Sequence, residues 1–332
     1  MKKIFFLLTT IVLSISSFSQ DAEKLHENAR VFMRQGDYPN AILVLNRAIE
    51  LQPTNLEIAK DLGLNYYFAK DYKKALEIYK PILEREDADD QCFQIAGDIY
   101  LALEDLKECE KVYKKGLKKL PSSGPLYNQL GELMWMQKDY DAIKQWEKGI
   151  ELDPGFSKNY YNACRYYYFT TDKVWSILYG EIFLNIEPLS TSSHEVKNIL
   201  LESYKKLFVD TDLEKNNKDK SAFVIAFLKV MNKQNYLAAL GINTEVLTMI
   251  RTRFILEWSV EYKNKFPFKL FELQQQLLQE GLFDAYNQWI FAAVQNLPAY
   301  QNWTTIHASE YNELNRFQRG RIFKIPTGQY YH

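Results

Sequence analysis

Four histidines, His26, His194, His307 and His332, are the first residues to test for metal or acid-base chemistry. None stands at a zinc-ligand spacing from another His or Cys. The run Asp210-Thr211-Asp212-Leu213-Glu214 opens like a calcium loop. Lys215, however, fills the sixth place, where glycine is required, and Ser221 the twelfth, where a bidentate glutamate is required. The chain has no glycine-rich phosphate loop, Gly-x-Ser-x-Gly elbow or His-Glu-x-x-His. The sequence therefore names no metal, cofactor or catalytic residue. Cys92, Cys109 and Cys164 are an odd set; Cys109 and Cys164 are best read as small core residues, and no bond is expected between Cys92 and Cys109. What stands out is contact chemistry. Residues 156–183 hold ten aromatics, among them Tyr161, Tyr166, Tyr168 and Phe169, and in the tail Arg316, Arg319, Arg321 and Lys324 alternate with Phe317 and Phe323.

The elements that must position these residues are helical. With 47% hydrophobic residues the chain can bury a large core, and 13 Gly plus 10 Pro in 332 positions favour long helices over many short strands. A net charge of -1 argues against a nucleic-acid partner, because phosphate binding needs an excess of Lys and Arg. Lys2 and Lys3, the apolar run Ile4 to Leu13 and the small residues around Ser17-Phe18-Ser19 read as a signal peptide over 1–19, cleaved after Ser19. With no cysteine at that point a lipid anchor is not expected, and no later run reaches the length of a membrane span. Ala222 to Met231 reads as a buried helix. The expected location is outside the cytoplasm, in a bacterial periplasm or secreted.

A period organises the next part of the chain. Asp37, Asp71, Asp105, Asp139 and Asp172 recur at intervals of 34, 34, 34 and 33, and Pro53, Pro121, Pro154 and Pro188 close four of the units. An amphipathic helix precedes each Asp and another follows it, so each unit is helix, tight turn, helix, stop.

The small and bulky residues inside the units resemble the tetratricopeptide repeat family. Ala59, Leu62, Gly63, Tyr66, Ala75, Tyr79 and Ile82 carry the resemblance in the second unit. Phe93, Ala96, Gly97, Tyr100, Cys109, Tyr113, Gly116 and Pro121 carry it in the third. Five units are expected, at 22–55, 56–89, 90–123, 124–156 and 157–190. The fold class implied is all-α, a right-handed superhelical solenoid of antiparallel helix pairs over 22–190, followed by a helical capping domain over 191–332. In that domain Ser192 and Glu195 are expected to form a capping box. Helices are expected at about 221–239, 244–263, 268–280 and 283–296, with a degenerate repeat hairpin near 268–296. The tail from Gln318 is expected to pack as an irregular strap.

The resemblance implies that the first helix of each unit lines a concave groove that holds a partner segment. By position, the groove face would carry Arg30, Arg34, Lys60, Tyr67, Asp98, Trp135, Tyr161, Arg165, Tyr168 and Phe169. One row, Met33, Tyr67, Leu101, Trp135 and Tyr168, is apolar in every unit. His26 and Arg30 stand where a carboxylate clamp of the chaperone type would begin, so that mode is not expected. The function expected is a non-catalytic scaffold of the cell envelope that binds a protein or peptide segment. Because sugar faces also stack on rings, a glycan-binding or glycan-processing protein using the cluster 156–183 is the alternative.

Overall fold

The computed structural model describes residues 20–215 and 217–332, so the leader expected over 1–19 lies outside the described residues. These residues are helical, in consecutive antiparallel pairs, and fall into two compact units with their boundary after Leu133.

The first unit begins with α1 (20–34), α2 (Tyr38–Leu51), α3 (Leu56–Phe68), α4 (Tyr72–Ile82), α5 (Asp90–Ala102) and α6 (Leu106–Lys119). The periodic aspartates start the second helix of each pair. Asp37, Asp71 and Asp105 each accept the backbone N–H three residues on, at Asn40, Lys74 and Glu108, which satisfies an otherwise orphaned donor. The residue before each Asp lies in the left-handed region: Gly36 at φ 74°, Lys70 at 63° and Glu104 at 58°. That conformation lets the Asp37 N–H reach Phe32 O at 2.9 Å while the Gly36 N–H reaches Met33 O at 3.0 Å, closing the first helix. The helices of a pair meet through glycine. A Cβ on Gly63 would stand 2.5 Å from the Tyr79 ring, and one on Gly97 2.1 Å from the Tyr113 ring.

The boundary falls within α7 (Gly124–Met136). The second unit continues with α8 (Ala142–Leu152), α9 (Ser157–Tyr168), α10 (Lys173–Ile186) and α11 (Ser193–Leu207). Its first turn has Lys138 at φ 61° and the same closure, Asp139 N to Met134 O at 2.9 Å. The unit is one residue short here, and Asp141, not Asp139, precedes α8; Asp139 instead accepts the N–H of Asp141. The capping box expected at Ser192 does not form, because that side chain makes no cap bond and Glu195 turns to α9. Nonetheless α11 covers α10 as anticipated, burying Val196, Ile199, Leu200 and Tyr204 in the core that also holds Ile177 and Leu184.

Past α11, the helix expected at 221–239 is broken into α12 (Ala222–Asn232) and α13 (Asn235–Ala238), and α12 is buried as expected. α14 (Thr244–Glu261) and α15 (Lys269–Gln279) follow, then α16 (Phe283–Asn287), a π-helical turn (Gln288–Ala292) and α17 (Ala293–Gln295). Between α15 and α16, Gly281 sits at φ 72° and the Leu282 N–H reaches Leu277 O at 2.8 Å. This is the turn used by the N-terminal repeats. The sequence reading missed α18 (Leu297–Ile306) and α19 (Ala308–Arg319), which are mostly exposed and bury only Leu314 between them. The tail after Gly320 is irregular, with Phe323 and Ile325 buried and Tyr331 stacked on Phe223 at 4.7 Å. All three cysteines are free and buried.

Candidate binding surfaces

In the first unit, two of the charges assigned to the groove, Arg30 and Lys60, staple one helix to the next. Arg30 Nε donates to Asp61 at 3.2 Å, and His26 Nε2 lies 2.6 Å from the same carboxylate, so α1 is tied to α3. Lys60 is a correction to the sequence reading: it is 6% exposed, and its ammonium lies 2.7 Å from Asp89 and 3.1 Å from Glu57. Burial works against that charge, but the two carboxylates hold its pKa above the ordinary lysine value. Lys60 is therefore structural, and Arg34 is the exposed cation of this face. Tyr67 is half-buried; burial and the nearby Asp98 carboxylate raise its pKa. Its ring packs on Phe68 and Tyr72, and Phe68 stacks on Tyr38 with centroids 5.3 Å apart.

In the second unit, α9 presents Tyr161, Arg165, Tyr168 and Phe169. The Tyr161 hydroxyl donates to Glu195 at 2.7 Å, and Arg165 Nε lies 3.2 Å from the other oxygen of that carboxylate. Burial and this acceptor raise the Tyr161 pKa. Tyr168 is half-buried between two ammonium groups, Lys206 at 3.7 Å and Lys173 at 5.8 Å from the ring centroid. Lys173 donates to the carbonyls of Tyr168 and Thr170 at the end of α9, and burial lowers its pKa to about 8. Phe169 is 75% exposed, edge-on to Tyr168. Beside them opens a cleft of about 540 Å³ lined by Thr170, Lys206, Val209 and Lys218, among others. Trp135 is 36% exposed at the end of α7, against Tyr140, Trp146 and Tyr166.

The structure thus leaves Arg34, Trp135, Tyr168 and Phe169 accessible to a ligand and commits Arg30, Lys60 and Arg165 to neighbouring helices. The sequence reading missed Tyr38, Tyr140 and Lys206. The period could have found the two tyrosines, since each directly follows a repeat aspartate, Asp37 and Asp139.

Two titratable clusters lie deeper in the second unit. Glu181 accepts from Arg251, from Gln274 Nε2 at 2.7 Å and from the Tyr286 hydroxyl at 2.9 Å, all buried. Glu147 accepts from the Tyr167 hydroxyl at 2.7 Å, and His332 Nε2 lies 2.7 Å from that hydroxyl. Burial pushes Glu147 up to about 7 against the pull of Tyr167 and Tyr179. Among the described residues no group of three or more His, Cys, Asp or Glu could hold a metal ion, and no helix is long and apolar enough to cross a membrane.

Residues 34–116 match the family described as Anaphase-promoting complex, cyclosome, subunit 3. The chain is 30% identical over 118 residues to BBSome complex member BBS4 of Bos taurus, covering 36% of this chain and 22% of that protein. It is 28% identical over 144 residues to Tetratricopeptide repeat protein 21B of Mus musculus, covering 42% of this chain and 11% of that one. The chain thus spans about a fifth or less of these relatives' lengths. A solved tetratricopeptide repeat protein from Parabacteroides merdae aligns over 77% of this chain and 99% of its own, at 16% identity and a TM-score of 0.43. The chain is similar to tetratricopeptide-repeat proteins. Arrays of this class serve in general as protein-interaction scaffolds.

Proposed function

We propose that this chain is an exported, non-catalytic scaffold of the cell envelope that holds an extended segment of a partner protein along the first helices of its pairs. The observation that carries the reading is the end of α9. Phe169 is left three-quarters exposed beside Tyr168, with Lys206 over the Tyr168 ring and an open cleft alongside. Rings and cations gathered at one edge suit a segment that brings an apolar side chain and a carboxylate. The bovine relative is named as a member of a complex, which fits a role in assembly. The test is crosslinking and affinity capture of the full chain from native envelope, beside a Tyr168→Ala/Phe169→Ala variant. A specific envelope protein should come with the parent chain and be lost with the variant, and recovery of no specific partner would sink the proposal. Cleavage after Ser19, read from the mass of the purified protein, tests export.

Glycan binding is the second reading, supported by the accessible rings of Trp135 and Phe169. Trp175 contributes nothing to it, being 2% exposed. A fluorescence titration with peptidoglycan fragments that leaves Trp135 unmoved removes this reading.

A further inference from the structure

The turn between α7 and α8 builds an aromatic corner. Lys138 in the left-handed conformation sends the chain back on itself, and Tyr140 lands edge-on to Trp135, with centroids 5.6 Å apart and planes at 75°. Tyr166 meets Trp135 from another side at 6.2 Å and 70°, and the buried Trp146 backs it at 5.9 Å. Tyr140 is 61% exposed, so the corner is open to solvent. Its surroundings are acidic. Asp139 and Asp141 lie on the same turn, and besides burial it is Glu147, Asp141 and Asp172 that raise the pKa of the Tyr166 hydroxyl. Two cations lie beside them: Lys138 on the turn, and Lys144 at the start of α8, whose ammonium is held 2.8 Å from Asp141.

Aromatic faces carry negative potential, and a cation gains most where several rings converge near carboxylates. We propose that the Trp135–Tyr140 corner is a binding site for an organic cation, the guanidinium or ammonium of an arginine or lysine in the partner segment. The site deepens the scaffold reading by naming one side chain that the segment carries. An acidic or aliphatic side chain at this corner would meet like charge or leave the rings unmatched.

The test needs no identified partner. The full chain is labelled with 5-fluorotryptophan, the Trp135 resonance is assigned by its loss in Trp135→Phe, and Ac-Gly-Arg-Gly-amide is titrated against it. The same peptide with citrulline, which keeps the shape and lacks the charge, is the control. The expected result is a saturable shift of the Trp135 signal with arginine, at least about fivefold weaker with citrulline. Tyr140→Ala, which removes a mostly exposed ring, should weaken the arginine response while the remaining tryptophan signals stay in place. Equal responses to both peptides, or none to arginine, overturn the proposal. Failure of the scaffold reading would appear differently, as no captured partner with the arginine response intact.

Discussion

Arg251 on α14 and Glu181 on α10 form an ion pair whose two side chains are each 2% exposed. Gln274, Tyr286 and Asn287 complete the shell with hydrogen bonds from α15 and α16. The fifth repeat is thereby joined to the helices that follow it by charge as well as by apolar packing.

Removing one partner of that pair strands the other in the core. Arg251→Met is expected to lower stability by about 3–5 kcal/mol in urea denaturation, whereas Glu181→Leu with Arg251→Met loses much less. A loss in the double variant equal to the sum of the two single-variant losses would show that the pair is not coupled.

The Glu147 carboxyl gives stability a pH signature. Its folded pKa of about 7 lies above the ordinary 4.5, so the native state holds the proton more tightly than the unfolded chain. Its contribution is therefore complete below about pH 4.5 and is lost as pH rises through 7. Glu147→Gln, which cannot ionise, should gain on the order of 1–3 kcal/mol relative to the parent at pH 8 and almost nothing at pH 4.5. Thermal melts of both proteins across that range check it, and a pH-independent difference would refute it.

Glycine at the helix crossing differs from glycine at the turn. Gly97→Ala drives a methyl into the fully buried Tyr113 ring and should cost about 1–3 kcal/mol. Gly36→Ala meets open space, and its cost, about 1 kcal/mol, comes from φ alone. Melting temperatures of the two variants should rank them in that order.

Stapling and ligand-binding cations should separate in capture experiments. Lys60→Met should lower stability modestly, because the Asp89 side chain it leaves behind is 46% exposed and can rehydrate, and should leave partner recovery unchanged. Arg34→Glu should leave the melt within about 0.5 kcal/mol and reduce recovery severalfold. A reversed pattern would return Lys60 to the ligand-binding set.

The helix pairs, their caps and their close approaches were legible because each is local: an Asp at a fixed interval, a Gly opposite a Tyr. The use of the charges was not. Arg30 reaches Asp61, Lys60 reaches Asp89 and Arg165 reaches Glu195, each across one repeat, and a spacing of about thirty residues carries no periodic signal that distinguishes a staple from a ligand. Ser192 and Glu195 matched a capping pattern, yet Glu195 gained a tyrosine hydroxyl and an arginine from α9 instead. The ten aromatics of 156–183 divide between core and surface, since Trp175 and Tyr179 are buried while Phe169 is three-quarters exposed.

The side chain of the last periodic aspartate, Asp172, makes no cap bond to its own helix. It accepts the backbone N–H groups of Lys218 and Asp219 at 2.6 and 3.4 Å, while the Asp219 side chain takes the Trp175 indole N–H at 2.7 Å. The start of α10 and a stretch more than forty residues downstream therefore secure each other like two ends of one knot. Amide hydrogen exchange should find them opening together, and a ligand that tugs on either would be felt at both.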